Sequence, residues 1–415
     1  MGQIVPHNWE AVDAAIAGGL ERSLSFLEAL VAEPSVVGNE AGAQRVVSAE
    51  LARLGFAVRE LEVPAGIEER PGSGVPQLPY AGRPVVVGER AGHGRSLLVN
   101  GHVDVVPPGA ADLWPGDPFA PRRADGWLHG RGAGDMKAGF ATALLAIEAL
   151  LAEAPDSIAG PLSFVSVIEE ECTGNGTLAA AHAGVLADAV LLPEPTNLEL
   201  MLGGIGILWL ELTLQGRSAH AHLPQDGSNA VSLALPLLES LRALEAEMNP
   251  DGDGRHALNI GTFHGGDWQS SVPGVARIGL RIGFPAAWPV ADAQARVTEA
   301  VERAARADGW LADHPPALRF NGFRAQGYEL DEGHELVREL SAAHAEVAGA
   351  PPAIADGTAT TDARIYLNQF GVPAICYGPR VRNIHGIDEA VEIESIATGA
   401  RVLARFIARY YGAAA

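Results

Sequence analysis

The sequence predicts an α/β fold: a mostly parallel sheet with helices on both faces, interrupted by an inserted α+β block. Three observations carry this expectation. Short, continuously apolar runs alternate with longer stretches of helical spacing, as when crossover helices bury both faces of a parallel sheet. Midway, the pattern switches to strict alternation of apolar and polar residues, the mark of a half-buried strand. The first pattern then resumes to the end. We therefore divide the chain into residues 1–204 and 321–415, two parts of one domain, and an insert at 205–320.

In order along the chain, residues 9–32 and 40–54 carry apolar residues at helical spacing. "PVVVG" (84–88) and "SLLVNGHVDVV" (96–106) read as buried strands, with a Pro/Gly-rich surface loop at 69–84 before them. "GRGAGDMKAGF" (130–140) opens a long apolar helix. "LSFVSVI" (162–168) and "DAVLLPEP" (188–195) are the next buried strands. The insert begins with "ILWLELTLQG" (207–216), where Leu208, Leu210, Leu212 and Leu214 share one face. A helix near 229–248, strands near 257–264 and 275–284, and a helix near 291–307 follow. A helix near 333–348, the strand "VPAICYGP" (372–379) and a helix near 394–411 complete the pattern.

Composition narrows the class. Of 415 residues, 47% are hydrophobic and 19% charged, which is ordinary globular usage. At roughly 100–200 residues per domain there is room for two or three domains. The formal net charge of -22 repels nucleic acid and anionic membrane surfaces. Lys137 is the single lysine, so nearly all positive charge is arginine. The two cysteines, Cys172 and Cys376, supply neither a disulfide scaffold nor a cysteine zinc site. The opening "MGQIVPHNWEAVDAAIAGGL" lacks the basic and apolar regions of a leader, and no apolar run is long enough to span a bilayer. A cytoplasmic enzyme is the expectation.

Chemistry gathers at the ends of the parallel-type strands. His102 and Asp104 follow one strand, Asp135 sits in the glycine-rich turn, and Glu169, Glu170 and Glu171 follow the next strand. Glu194 follows another, and His385 the last. Ligand sites of open α/β sheets lie beyond the carboxyl ends of strands. Each piece alone has a bland reading: a structural histidine, a turn aspartate, a solvated acidic run. But the triple Glu directly follows a buried strand, where unpaired carboxylates are costly. They call for a cation, and no lysine is at hand. Imidazole and carboxylate together suit Zn²⁺, with Co²⁺ or Mn²⁺ as alternatives. A dinucleotide loop fits worse. The spacing is G-x-G-x-G rather than G-x-G-x-x-G, the loop lies far inside the chain, and the next strand ends in a triple Glu.

Taken together, "GHVDVVP", "GRGAGDMKAG", "EEECTGNG", "PEPT", "GRSAHAHLPQDGSNA" and "IHGIDEA" resemble the di-zinc amidohydrolases that include acetylornithine deacetylase, succinyl-diaminopimelate desuccinylase and carboxypeptidase G. The motifs occur in that family's order and span nearly the whole chain. The resemblance implies two divalent ions bridged by Asp135, one completed by His102 and Glu194, the other by Glu171 and His385. It implies Glu170 as general base and a cis peptide after Asp135. Asp104 would orient the His102 ring, and Glu169 would be an outer, hydrogen-bonded carboxylate. The insert resembles the family's lid and dimerisation domain, with His220 of "SAHAHLP" reaching a partner subunit's site to stabilise the oxyanion. His222, two residues on, is the lesser candidate for that role. The implied activity is hydrolysis of a small amide by a homodimer. An N-acyl amino acid is the first choice of substrate, and a dipeptide or carbamoyl compound the second. A non-catalytic binding homologue is the remote alternative.

The substrate-side residues match the family less closely. The position usual for a carboxylate-binding Arg of the lid falls on Gly283, and the Asn expected before Val272–Pro273 is Ser271. Arg281 is either a relocated clamp or a surface charge, with Arg277 on the same strand face. Arg380 stands where the family often has glycine and is the other anion contact considered. Asn259 is a candidate for the partner-side pocket. Thr361, in "DGTATTDAR", is a candidate for the pocket wall.

Overall fold

The computed structural model describes residues 8–412. Residues 1–7, part of the stretch weighed above as a leader, lie outside them. Six strands form the central sheet: β1 (Ala57–Leu61), β2 (Val85–Arg90), β3 (Leu97–His102), β6 (Leu162–Val167), β7 (Ala189–Leu192) and β14 (Ala374–Cys376). Their spatial order is β1-β2-β6-β3-β7-β14. β6, β3, β7 and β14 run parallel, whereas β2 is antiparallel to both its neighbours. "PVVVG" is thus a buried strand but not a parallel one. Continuous burial records two covered faces and says nothing of direction.

Helices cover both faces. α1 (Trp9–Ala32), α2 (Ala41–Arg53), α3 (Ala138–Glu153) and α9 (Ile393–Gly412) pack on one side, where Phe140 of α3 meets Phe164 of β6 at 5.4 Å between ring centroids. On the other side, Asn100 of β3 donates to Thr177 of α4 (Asn175–His182) and to Tyr366, which follows α8 (Ala363–Ile365). α7 (Glu335–Ala348) packs on α9. α3 approaches closely because its buried residues are largely small. A Cβ on Gly139 would stand 1.9 Å from the Pro193 carbonyl oxygen, so this contact seats the turn that carries Glu194.

The insert is an antiparallel layer with its own core. β9 (Gly206–Gln215), β10 (Leu258–Gly265), β11 (Val275–Phe284) and β12 (Ala317–Ala325) pair in the order β10-β11-β9-β12. α5 (Ala230–Met248) and α6 (Val290–Ala307) cover one face, burying Leu208, Leu210, Leu212 and Leu214 as their alternation predicts. The Asn229 side chain caps α5 by accepting from Val231 and Ser232. β12 runs to Ala325, so the boundary expected at 320 falls inside a strand. β8 (Gly203–Gly204) pairs with β13 (Tyr328–Glu329) where the chain enters and leaves this layer.

A small sheet escaped the sequence reading: β4 (Arg122–Ala124), β5 (Trp127–His129), β15 (Val381–Arg382) and β16 (Ala390–Glu392), in the order β15-β16-β5-β4. Strands this short show no periodicity. They nonetheless bring the His385 loop beside the Asp135 loop. No helix among the described residues is long and apolar enough to cross a membrane.

Candidate metal centre

The parallel strands deliver their side chains to one edge. His102 ends β3, and its Nδ1 lies 2.9 Å from the backbone carbonyl oxygen of Asp104. Donation to that carbonyl turns Nε2 toward the cluster, where its lone pair is available to a cation once its proton is displaced. The Asp104 carboxylate does not hold the ring as expected. Its Oδ1 is 3.8 Å away, and its two oxygens instead accept the backbone N–H groups of Glu170 (3.2 Å) and Glu171 (3.1 Å). Asp104 therefore orients the ring with its main chain and the two glutamates with its side chain. Burial pushes its carboxyl up to about 7, against the opposing pull of His102.

Asp135 faces two imidazoles. Its Oδ1 is 3.2 Å from Nε2 of His102, and its Oδ2 is 3.4 Å from Nε2 of His385. Glu171 Oε1 lies 3.1 Å from the same His385 nitrogen. Ligand atoms of His102, Asp135 and Glu171 all fall within 4.8 Å of one another. The glycines serve the turn: Gly132 adopts φ +79, and the Asp135–Met136 peptide is cis.

The triple Glu divides. Glu169 is a buried anchor: Arg83 donates to it at 2.8 Å, Tyr80 at 2.8 Å and Thr173 at 2.9 Å. Arg83 also pairs with Glu40. One of the three carboxylates thus finds its cation in an arginine, which the sequence argument from missing lysine overlooked. Glu170, Glu171 and Glu194 line the cavity, and no Lys or Arg among the described residues is paired with them. Burial raises the Glu170 carboxyl well above its usual range and pushes Glu194 up to about 8. Burial would lower His385, but Glu171 and Asp135 outweigh it and lift the ring to about 11. His102 is raised likewise against burial by Asp135, Glu170, Asp104 and Glu194. These groups retain protons because acid is buried in excess. Divalent cations fit the same donors and would displace those protons.

A cavity of about 750 Å³ lies between this edge and the inserted sheet. Asn259, Arg281 and Thr361 line it. Asn259, Arg281, Trp209 and Asn321 form one cross-strand row, and all four line the cavity. Arg281 has no hydrogen-bond or ion-pair partner among the described residues, and burial lowers its pKa. Thr361 bonds with Tyr328 OH at 2.7 Å. Arg380 is not part of the lining: it turns outward to Glu392 at 3.3 Å, which corrects its expected role as anion contact. His220 is exposed on the insert, outside its own chain's cavity, and its Nδ1 accepts the N–H of His222 at 3.1 Å. Trp209, Arg83 and Glu389 were missed. Trp209 alone had a signal, its odd place on the face opposite the leucines.

Comparison with known proteins agrees with this geometry. The chain is 30% identical over 406 residues to succinyl-diaminopimelate desuccinylase of Variovorax paradoxus, covering 94% of this chain and 98% of that one. It is 28% identical over 397 residues to N-formyl-4-amino-5-aminomethyl-2-methylpyrimidine deformylase of Bacillus subtilis, covering 89% of each. Its fold is similar to that of the di-peptidase Dug1p from Saccharomyces cerevisiae, with a TM-score of 0.80, 16% identity, and coverage of 98% of this chain and 99% of that one. The family description "Peptidase family M20/M25/M40" matches residues 98–409. A site of shared carboxylate and paired imidazoles, carried on the fold and the sequence of these amide hydrolases, marks this chain as a member of the peptidase family M20/M25/M40.

Proposed function

We propose that the protein is a metal-dependent deacylase that hydrolyses the amide bond of a small N-acyl amino acid. Two divalent ions, zinc on donor chemistry, would be held by His102, Asp135 and Glu194 and by Asp135, Glu171 and His385. The observation that carries the reading is the division of the Asp135 carboxylate, one oxygen toward each imidazole. When bound, the ion pair supplies Lewis acidity toward water and the substrate carbonyl. Glu170, on the cavity wall and without a Lys or Arg partner among the described residues, takes the proton of the attacking water and delivers it to the leaving amine. Arg281, an unpaired cation in the cavity, binds the substrate carboxylate with Asn259 beside it. Thr361 shapes the wall.

His220 stabilises the oxyanion in the site of a second copy of the chain. Its exposure and its position outside its own cavity support this arrangement. The exposed Phe263 and Trp268 of the β10–β11 hairpin support pairing through the inserted layer, which then serves as lid and dimer contact. Two buried free cysteines suit a reducing cytoplasm. A dipeptide is the second reading, favoured by the structural likeness to a di-peptidase.

The test is turnover of a panel of N-acyl amino acids, dipeptides and carbamoyl amino acids by zinc- and cobalt-loaded protein. N-acyl amino acids should lead. Faster cleavage of dipeptides would select the second reading. No turnover across the panel with both ions bound would overturn amide hydrolysis.

A further inference from the structure

The loop that carries Asp135 cradles an anion, and the anion belongs to the chain itself. Glu389 is fully buried. Its Oε1 accepts the backbone N–H groups of Gly134 and Asp135, each at 2.9 Å. Its Oε2 accepts the N–H of Gly132 at 3.1 Å and a guanidinium N–H of Arg131. Successive N–H groups converging on one point make the concavity that elsewhere binds phosphate. The resemblance of "GRGAGD" to a nucleotide loop thus has a physical basis, with a carboxylate as occupant.

The same clamp reaches the second ligand loop. Arg131 donates to the Gly386 carbonyl oxygen at 3.0 Å, the residue after His385. Within that loop Asn383, His385 and Asp388 adopt φ of 56, 61 and 57, a left-handed conformation uncommon outside glycine and best tolerated by residues of these three types. Such backbone persists only where its surroundings over-determine it. His102 and Glu194 have other supports: β3 with the Asp104 carbonyl for one, the close seat of α3 against Pro193 for the other.

We infer that Arg131 and Glu389 are positioning residues that fix Asp135 and His385 relative to each other, so that the ion held by Asp135, Glu171 and His385 depends on them more than the ion held by His102, Asp135 and Glu194. The inference rests on the two-ion reading above. Glu389→Gln keeps the shape but turns an N–H donor toward N–H donors. Metal-free wild type and variant are titrated with zinc against a competing chelator, with thermal unfolding as the check on fold. Wild type should take up two equivalents. Glu389→Gln should keep one at wild-type affinity and bind the second about 10–100-fold more weakly, restored by excess zinc. Two equally tight ions in the variant, or equal weakening of both, overturns the inference. Fewer than two equivalents in wild type overturns the two-ion reading, and the inference with it. Should Glu389→Gln not fold, Arg131→Lys keeps the charge but loses the Gly386 contact. It should weaken the same single equivalent, and unchanged binding of both ions overturns the inference.

Discussion

Replacing Glu170 with Gln separates the base from the ligands around it. Its Oε2 lies 3.9 Å from Nε2 of His102, beyond hydrogen-bond range, so the exchange removes a nearby charge but no hydrogen bond of that imidazole. The hydrogen bond from residue 170 to Asp104 comes from the backbone and survives. Gln is nearly isosteric and relieves a buried carboxyl that no Lys or Arg among the described residues pairs with, so the variant should unfold no earlier than wild type. What is lost is proton transfer. A positioned general base contributes about 10²–10⁴ in rate, or about 2.7–5.4 kcal/mol at roughly 1.36 kcal/mol per decade. The assay is kcat at saturating metal, with bound metal measured on the same dialysed sample. Both ions should remain while kcat falls within that range. Glu171→Gln is the contrast, because Glu171 is the close partner of His385 and its loss should release metal. Near-wild-type kcat in Glu170→Gln with both ions bound would refute the assignment of the base.

Three further outcomes are expected. His220→Ala should lose about 10²–10³ in kcat with metals and fold intact. Mixed with Glu170→Gln, it should regain activity in heterodimers, up to about one working site each. No recovery in demonstrated heterodimers would place His220 in its own chain's site or show that the two sites cannot work independently, and a monomeric active enzyme would exclude sharing. Arg281→Ala should raise KM for a carboxylate-bearing substrate by about 10–100-fold, the loss of one charged hydrogen-bond contact, with little change in kcat. An unchanged KM would return Arg281 to a mere cavity charge. Burial, with the charge of Arg380 behind it, lowers the pKa of His344, whose Nδ1 is 2.8 Å from Tyr377 OH. Below the ordinary value of 6.5 the unfolded chain therefore binds the proton first, and stability falls with pH from there to the folded-state value. His344→Gln should flatten that acid limb of Tm, and equal slopes in both proteins would contradict it.

The sequence by itself determined the elements whose burial leaves a period. Continuous runs such as "SLLVNGH" and alternating ones such as "LWLELTL" record how many faces are covered, and that is a local property of the chain. It also brought His102, Glu171 and Glu194 to one sheet edge, because the carboxyl end of a strand is a fixed place in such folds, whereas the small sheet it did not reveal sets Asp135 beside His385. Strand direction did not follow, as β2 shows, because burial is blind to it. Partnerships between distant residues did not follow either. Arg83 meets Glu169 across 86 positions, and Glu389 meets Gly134 across 255. No spacing rule reaches that far. Arg281 and Arg380 were both candidates in the sequence, and only the fold turned one into the cavity and the other to Glu392 on the surface. The direction of a side chain is set by the packing around it, so a charge in the sequence becomes a site only when tertiary structure denies it water and a partner.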